Sequence, residues 1–307
     1  MKTIIKLFPL LAIFHLFFAG CGEIRNSNEV PVDIEIETAP ALAEVTAVPN
    51  PDKDTTPNYT FSSTEVGTIE YGGSCSAGIT STVIGSNTIT LNALSEATYS
   101  DCTITVTDTF GNVSETLTIS PFTIDTTSPT VREVTAVTNP TNDTTPEYVF
   151  SSTEAGTITY DGACSSNTTS AVSLPSNNTI ALTNTSLGNL AEDNYTNCKV
   201  RVTDAAGNES SPLTITSFEV DTDAPTLRVV HLVKTPTNDT TPNYSFSSSQ
   251  SGTIEYGGLC GSVTSSITAS DNITISLTGS DNSSPLPHGG PYDNCTITVR
   301  DLSLIHI

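Results

Sequence analysis

The chain has no Trp, one Met (the initiator) and only 10 Lys and Arg against 33 Asp and Glu, for a net charge of -23 over 307 residues. A surface this acidic repels phosphate backbones, which excludes nucleic acid as a partner. Aromatic residues make up 6% and apolar residues 36%, too little for one large enzyme core but enough for two or three mid-sized ones. Cys-x-x-Cys pairs, Gly-rich phosphate loops and a Ser nucleophile elbow are all missing, so the usual zinc, nucleotide and acyl-transfer signatures are lacking. Of the four His, only His231 and His288 fall outside the two chain ends, and His231 sits in an alternating strand, where an edge or outward imidazole is expected. The carboxylates fall in turns rather than in apolar pockets that would raise one of them for acid catalysis. A non-catalytic protein is expected. Low hydrophobicity with high charge is also a mark of disorder, and only a repeated pattern argues against it.

The start of the chain is an address. Lys2 and Lys6 precede an almost wholly apolar stretch, Leu7 to Phe18, too short to span a bilayer as a helix and typical of a signal peptide. It closes in Phe18-Ala19-Gly20-Cys21, which resembles the bacterial lipobox. That resemblance implies cleavage after residue 20 and lipidation of Cys21. Gly22 rather than Asp follows the Cys, which resembles export to the outer membrane. Residues 21–43 read as a polar tether.

Repetition fixes the organisation. Asp-Thr-Thr-Pro occurs at Asp54–Pro57, Asp143–Pro146 and Asp239–Pro242. In each copy a Cys follows the Asp by 21 residues (Cys75, Cys164, Cys260), and a second follows that one by 27, 34 or 35 (Cys102, Cys198, Cys295). Length varies only between the two cysteines, so that stretch is expected to be surface loop. Three repeats result, at residues 44–128, 129–224 and 225–301. The third lacks a counterpart of the final strand, and the string at 302–307 reads as the translation of a sequencing-library adapter.

Within a repeat the period is two, as in a strand. Cys102, Ile104 and Val106 alternate with Thr103, Thr105 and Thr107, and the pattern recurs after Cys198 and Cys295. Clean alternation belongs to antiparallel sheets with one wet face. Leu117 and Ile119 share a face that Phe122 and Ile124 then take over, and the second repeat slips likewise; a bulge is the expected cause. About seven strands per repeat predict an all-β protein of tandem two-sheet sandwiches.

The D-x-x-G-N turn (Asp108–Asn112, Asp204–Asn208) followed by Asp-Thr-x-x-Pro (Asp125–Pro129, Asp221–Pro225) resembles the bacterial Ig-like repeats of surface proteins and large adhesins. The likeness covers nearly the whole chain after the tether and implies a cell-surface setting. Two features depart from antibody-type domains. The first Cys follows the third strand, and the Tyr before the second Cys (Tyr99, Tyr195, Tyr292) stands three residues ahead of it rather than two.

Six cysteines allow about 15 connectivities. Repeat symmetry favours Cys75–Cys102, Cys164–Cys198 and Cys260–Cys295, which requires an oxidising compartment. If the repeats stack head to tail, Asp125 at the exit of one meets Glu154, Asp204 and Asn208 of the next. Such a set of hard oxygen ligands suits Ca²⁺, and some of the adhesin repeats that the chain resembles bind calcium between domains. Glu37, Glu65, Asp108 and Asn112 are the equivalent set ahead of the first repeat. At the second joint Gln250 replaces the Glu, and the expected site is crippled.

The function expected from this pattern is a structural stalk, anchored to the membrane by lipid and presenting a distal region. The alternative is an adhesin or carbohydrate-binding module that meets surface glycans or a host matrix protein through its loops. Fixed junctions with arbitrary loops favour the stalk.

Overall fold

Every element is a β-strand, and no helix occurs among the described residues, 38–301 and 303, of the computed structural model. No helix among them is long and apolar enough to cross a membrane. The signal peptide, Cys21, the tether through Glu37, and all but Ser303 of the last six residues lie outside the described residues.

The first repeat contains β1 (Leu42–Thr46), β2 (Asn58–Ser63), β3 (Gly67–Gly72), β4 (Ser81–Thr82) and β5 (Gly85–Thr90). After these come β6 (Ala97–Tyr99), β7 (Thr103–Asp108), β8 (Leu117–Thr118) and β9 (Phe122–Ile124). One sheet has the order β1-β2-β5 and the other β4-β3-β7-β8, while β6 pairs with β9. All these strand pairings are antiparallel. The residues between Val131 and Val220 repeat this order strand for strand. Tandem Ig-like β-sandwiches are therefore the fold. The short fourth strand joins β3 rather than β5, unlike the four-plus-three order of antibody constant domains.

Alternation explains the core. On β7, Ile104 and Val106 are fully buried while Thr103, Thr105 and Thr107 are only partly covered. Tyr59 and Phe61 of β2 and Ile89 of β5 close the first core from the opposite sheet, and Tyr148, Phe150 and Ile180 close the second. The stretch of variable length therefore does not consist of loop alone, as its Ser/Thr/Asn composition suggested. It carries β5, and its counterpart Asn178–Ala181 supplies Ile180 to the core.

The slip in the last strand has a different cause from the expected bulge. Tyr99 pairs with Phe122 and Thr103 with Thr118, while Ile119 N donates to Cys102 O at 3.0 Å between them. The register is the same on both sides, so neither strand holds an extra residue. Both strands change their buried face together. The Tyr three residues before Cys102 is the partner half of this kink, and its hydroxyl still donates to Ser95 O at 2.9 Å, as in a tyrosine corner. Register shifts occur instead in the first strand of each repeat, between Glu44 and Thr46, Glu133 and Thr135, and Val229 and His231. From there the Glu44 carboxylate accepts Ser120 N at 3.0 Å and Ser120 Oγ at 2.7 Å. Glu133 accepts the same two groups of Thr216 at 3.1 and 2.7 Å, giving the kinked strand's backbone a partner that the ladder does not supply.

The third repeat keeps a three-stranded sheet, from Leu227–His231, Asn243–Ser248 and Asn272–Ser276. Its second sheet has no counterpart of β8 among the described residues. Its buried apolar cluster shrinks to Phe246, Ile254, Ile267, Ile275 and Val299.

Tight turns set one sequence requirement. Gly162 has φ +87° and leaves no room for a side chain, because a Cβ would meet Asn197 O at 2.1 Å. Gly111 has φ +91° with nothing within 4 Å. Gly162→Ala is expected to destabilise the second repeat by well over about 1 kcal/mol, and Gly111→Ala the first by less. Paired thermal melts check the order.

Candidate functional site

The joint between the first and second repeats gathers side chains from five segments. Strand β9 delivers Asp125 to the downstream end of the first sandwich, where Asp125 N donates to Asp52 O at 2.9 Å. The turn after Glu147–Ser152 presents Glu154 and is tied by Ser152 Oγ, which donates to Glu154 O at 2.6 Å. The D-A-A-G-N turn presents Asp204. Its Oδ1 accepts Asn208 N at 2.8 Å and its Oδ2 accepts Asn208 Nδ2 at 2.9 Å, an Asx-type arrangement that fixes the carboxylate.

Asp125, Glu154 and Asp204, all partly buried, each place one oxygen within 4.8 Å of the others, the one such trio among the described residues. Burial first, then the Asp125, Asp204 and Glu96 carboxylates, hold the Glu154 carboxyl above its usual range. Three acids this close repel unless a proton or a cation sits among them. They offer hard oxygen ligands of the kind Ca²⁺ takes.

Two hydrogen bonds cross the joint. Asn208 Nδ2 donates to Asp125 O at 2.8 Å, so Asn208 enters through its amide nitrogen and not through the oxygen that the sequence suggested. Lys53 Nζ donates to Gly207 O at 2.6 Å. Sequence reasoning missed Lys53 and Glu96. Lys53 had a signal: it stands just before Asp-Thr-Thr-Pro, where the other copies have Asn142 and Asn238. Glu96 accepts Thr126 Oγ1 and Thr127 Oγ1, each at 2.9 Å, and so braces the linker after Asp125.

Ahead of the first repeat, Glu65 is partly buried beside β2 and Asp108 is buried. Asp108 accepts Asn112 N at 2.9 Å, Asn112 Nδ2 at 2.8 Å and Phe110 N at 2.8 Å. Desolvation works against it, but those donors keep its carboxyl below the usual range. Glu37 lies outside the described residues. At the second joint Gln250 Nε2 donates to Asp221 Oδ1 at 3.1 Å and Oδ2 at 2.9 Å, and Asp301 Oδ1 accepts Ser303 N at 2.7 Å.

The six cysteines pair within repeats, Cys75–Cys102, Cys164–Cys198 and Cys260–Cys295, with Cα separations of 5.2, 5.1 and 5.2 Å. His231 is exposed on its edge strand.

No protein-family model and no curated protein matches the chain. Among solved structures, the fibronectin(III)-like modules of Clostridium thermocellum CbhA are similar over 58% of this chain and 93% of theirs, at 14% identity and a TM-score of 0.35. Dimeric latent PorU from Porphyromonas gingivalis is similar over 85% of this chain and 33% of its own, at 11% identity and a TM-score of 0.21. At these scores neither likeness carries an argument, and the Ig-like assignment rests on strand order and packing.

Proposed function

We propose that this is a non-catalytic lipoprotein of a bacterial surface, anchored in the outer membrane through Cys21. Its repeats, of the bacterial Ig-like kind, serve as a stalk, and Ca²⁺ held by Asp125, Glu154 and Asp204 tightens the first joint. The observation that carries the stalk reading is the pair of bonds, Asn208 to Asp125 and Lys53 to Gly207, that join consecutive sandwiches. A chain of free modules would have no use for side chains reaching from one repeat into the backbone of the next. The calcium reading adds to this the carboxylate trio, whose mutual repulsion a divalent cation relieves.

Small-angle scattering and melting of the exported protein, in millimolar calcium and in chelator, test both parts. Calcium is expected to raise the melting temperature of the second repeat and to narrow the range of inter-repeat angles, and Asp204→Ala to abolish both effects. Responses equal in wild type and Asp204→Ala, or absent from both, would overturn the calcium reading. A freely jointed ensemble under both conditions would overturn the stalk.

A further inference from the structure

The two joints are built on the same turn and differ at its tip. Glu154 follows Ser152, and Gln250 follows Ser248, at the same place in Ser-Ser-x-Glu and Ser-Ser-Ser-Gln. Both serines are buried, at 0% and 2% exposure. Glu154 N donates to Ser152 Oγ at 3.4 Å, and Gln250 N to Ser248 Oγ at 3.3 Å. The backbone therefore aims both side chains alike, toward the acid that ends the preceding repeat. At the second joint an amide meets that acid, and Gln250 Nε2 donates to both oxygens of Asp221. At the first joint a carboxylate meets it, with Asp204 beside the pair.

We infer that Gln250 is the positioning residue that holds the second joint closed without any cation, and that the residue at this turn position decides how each joint is held. With Gln, a neutral donor satisfies the facing carboxylate in a charge-assisted hydrogen bond. With Glu, two like charges face each other, and the joint depends on Lys53, Asn208 and whatever neutralises the acids. Under ordinary ionic conditions, then, the second joint is constitutively stiff and the first is conditional. The inference deepens the stalk reading and takes its biological setting from it, but the contrast between Gln250 and Glu154 does not depend on calcium being the physiological ion.

The test uses the full chain with spectroscopic labels on noncanonical residues in adjacent repeats, leaving the six cysteines intact, and reads inter-repeat distance distributions in chelator. Wild type should show a narrow distribution across the second joint and a broad one across the first. Gln250→Glu should lose the narrow second-joint peak and Glu154→Gln should narrow the first, while Gln250→Ala should broaden the second without adding charge. Unchanged distributions in Gln250→Glu and Gln250→Ala would overturn the inference. Adding calcium separates it from the calcium reading. Substitutions that act while calcium narrows nothing would sink the calcium reading and leave this one standing.

Discussion

Phe150→Ala is expected to destabilise the second repeat by about 3–5 kcal/mol and to leave the first nearly untouched. Phe150 is fully buried, and its ring lies 6.3 Å from that of Tyr148 on the same strand. It stands between the two sheets with Ile158, Val202 and Phe218 in one cluster, and truncating it leaves a cavity into which these neighbours relax only in part. A domain of this size has a net stability of only about 5–15 kcal/mol, so the loss removes a large fraction of it. Hydrogen exchange resolved by peptide should show protection collapsing between Val131 and Val220 while β2, β5 and β7 keep theirs. Val83→Ala, at a position 59% exposed, is the control and should cost under about 0.5 kcal/mol. Equal effects from the two substitutions would mean that the sandwich is not packed as described.

Removing the second bridge by Cys164→Ala with Cys198→Ala is expected to cost about 3.8 kcal/mol in the chain-entropy treatment, for cysteines 34 residues apart. Both sulfurs are replaced so that no free thiol remains to exchange with another bridge. The effect should again be local, because each bridge closes a loop inside its own repeat. Reductant added to wild type should lower the stability of every repeat and unfold the third first, since that repeat has the smallest buried apolar cluster to fall back on. Peptide mapping under non-reducing conditions that found Cys102 joined to Cys164 would contradict the pairing.

The sandwich was legible in the sequence because its signal is short-range and repeated: strict alternation after each second Cys and turn residues at fixed offsets from it. The carboxylate trio was legible for a related reason. Asp125, Glu154 and Asp204 lie in segments of constant length, so a head-to-tail stack brings them together whatever the loops do. Other features were hidden because they depend on a second strand. A change of face in Leu117 to Ile124 looks like a bulge until it is set against the matching change from Tyr99 to Cys102, and only the pairing of Tyr99 with Phe122 shows that the register is kept. The strand of Ile180 was masked by Thr, Asn and Ser around it, since its period of two is carried by Ile180 and Leu182 alone, with Ala181 between them, and is too short to stand out. Lys53 escaped notice because its partner is a backbone carbonyl in the next repeat, and a carbonyl has no sequence signature.

In each of the first two repeats the segment between the first and second strands runs beside the last strand and in the same direction. Asp52 bridges Ile124 in parallel, and Thr141 bridges Val220. Asp52 N donates to Thr123 O and Asp125 N to Asp52 O, both at 2.9 Å. A pull on the two chain ends drags this segment and the last strand past each other lengthwise, so their bonds are strained together and must give way together. A hairpin peeled from its tip would release its bonds one at a time. Once a repeat does yield, the Cys75–Cys102 link keeps the 27-residue separation between its cysteines closed, so about 90 Å of chain stays in reserve. Under tension, an oxidised repeat is therefore a shorter tether than a reduced one.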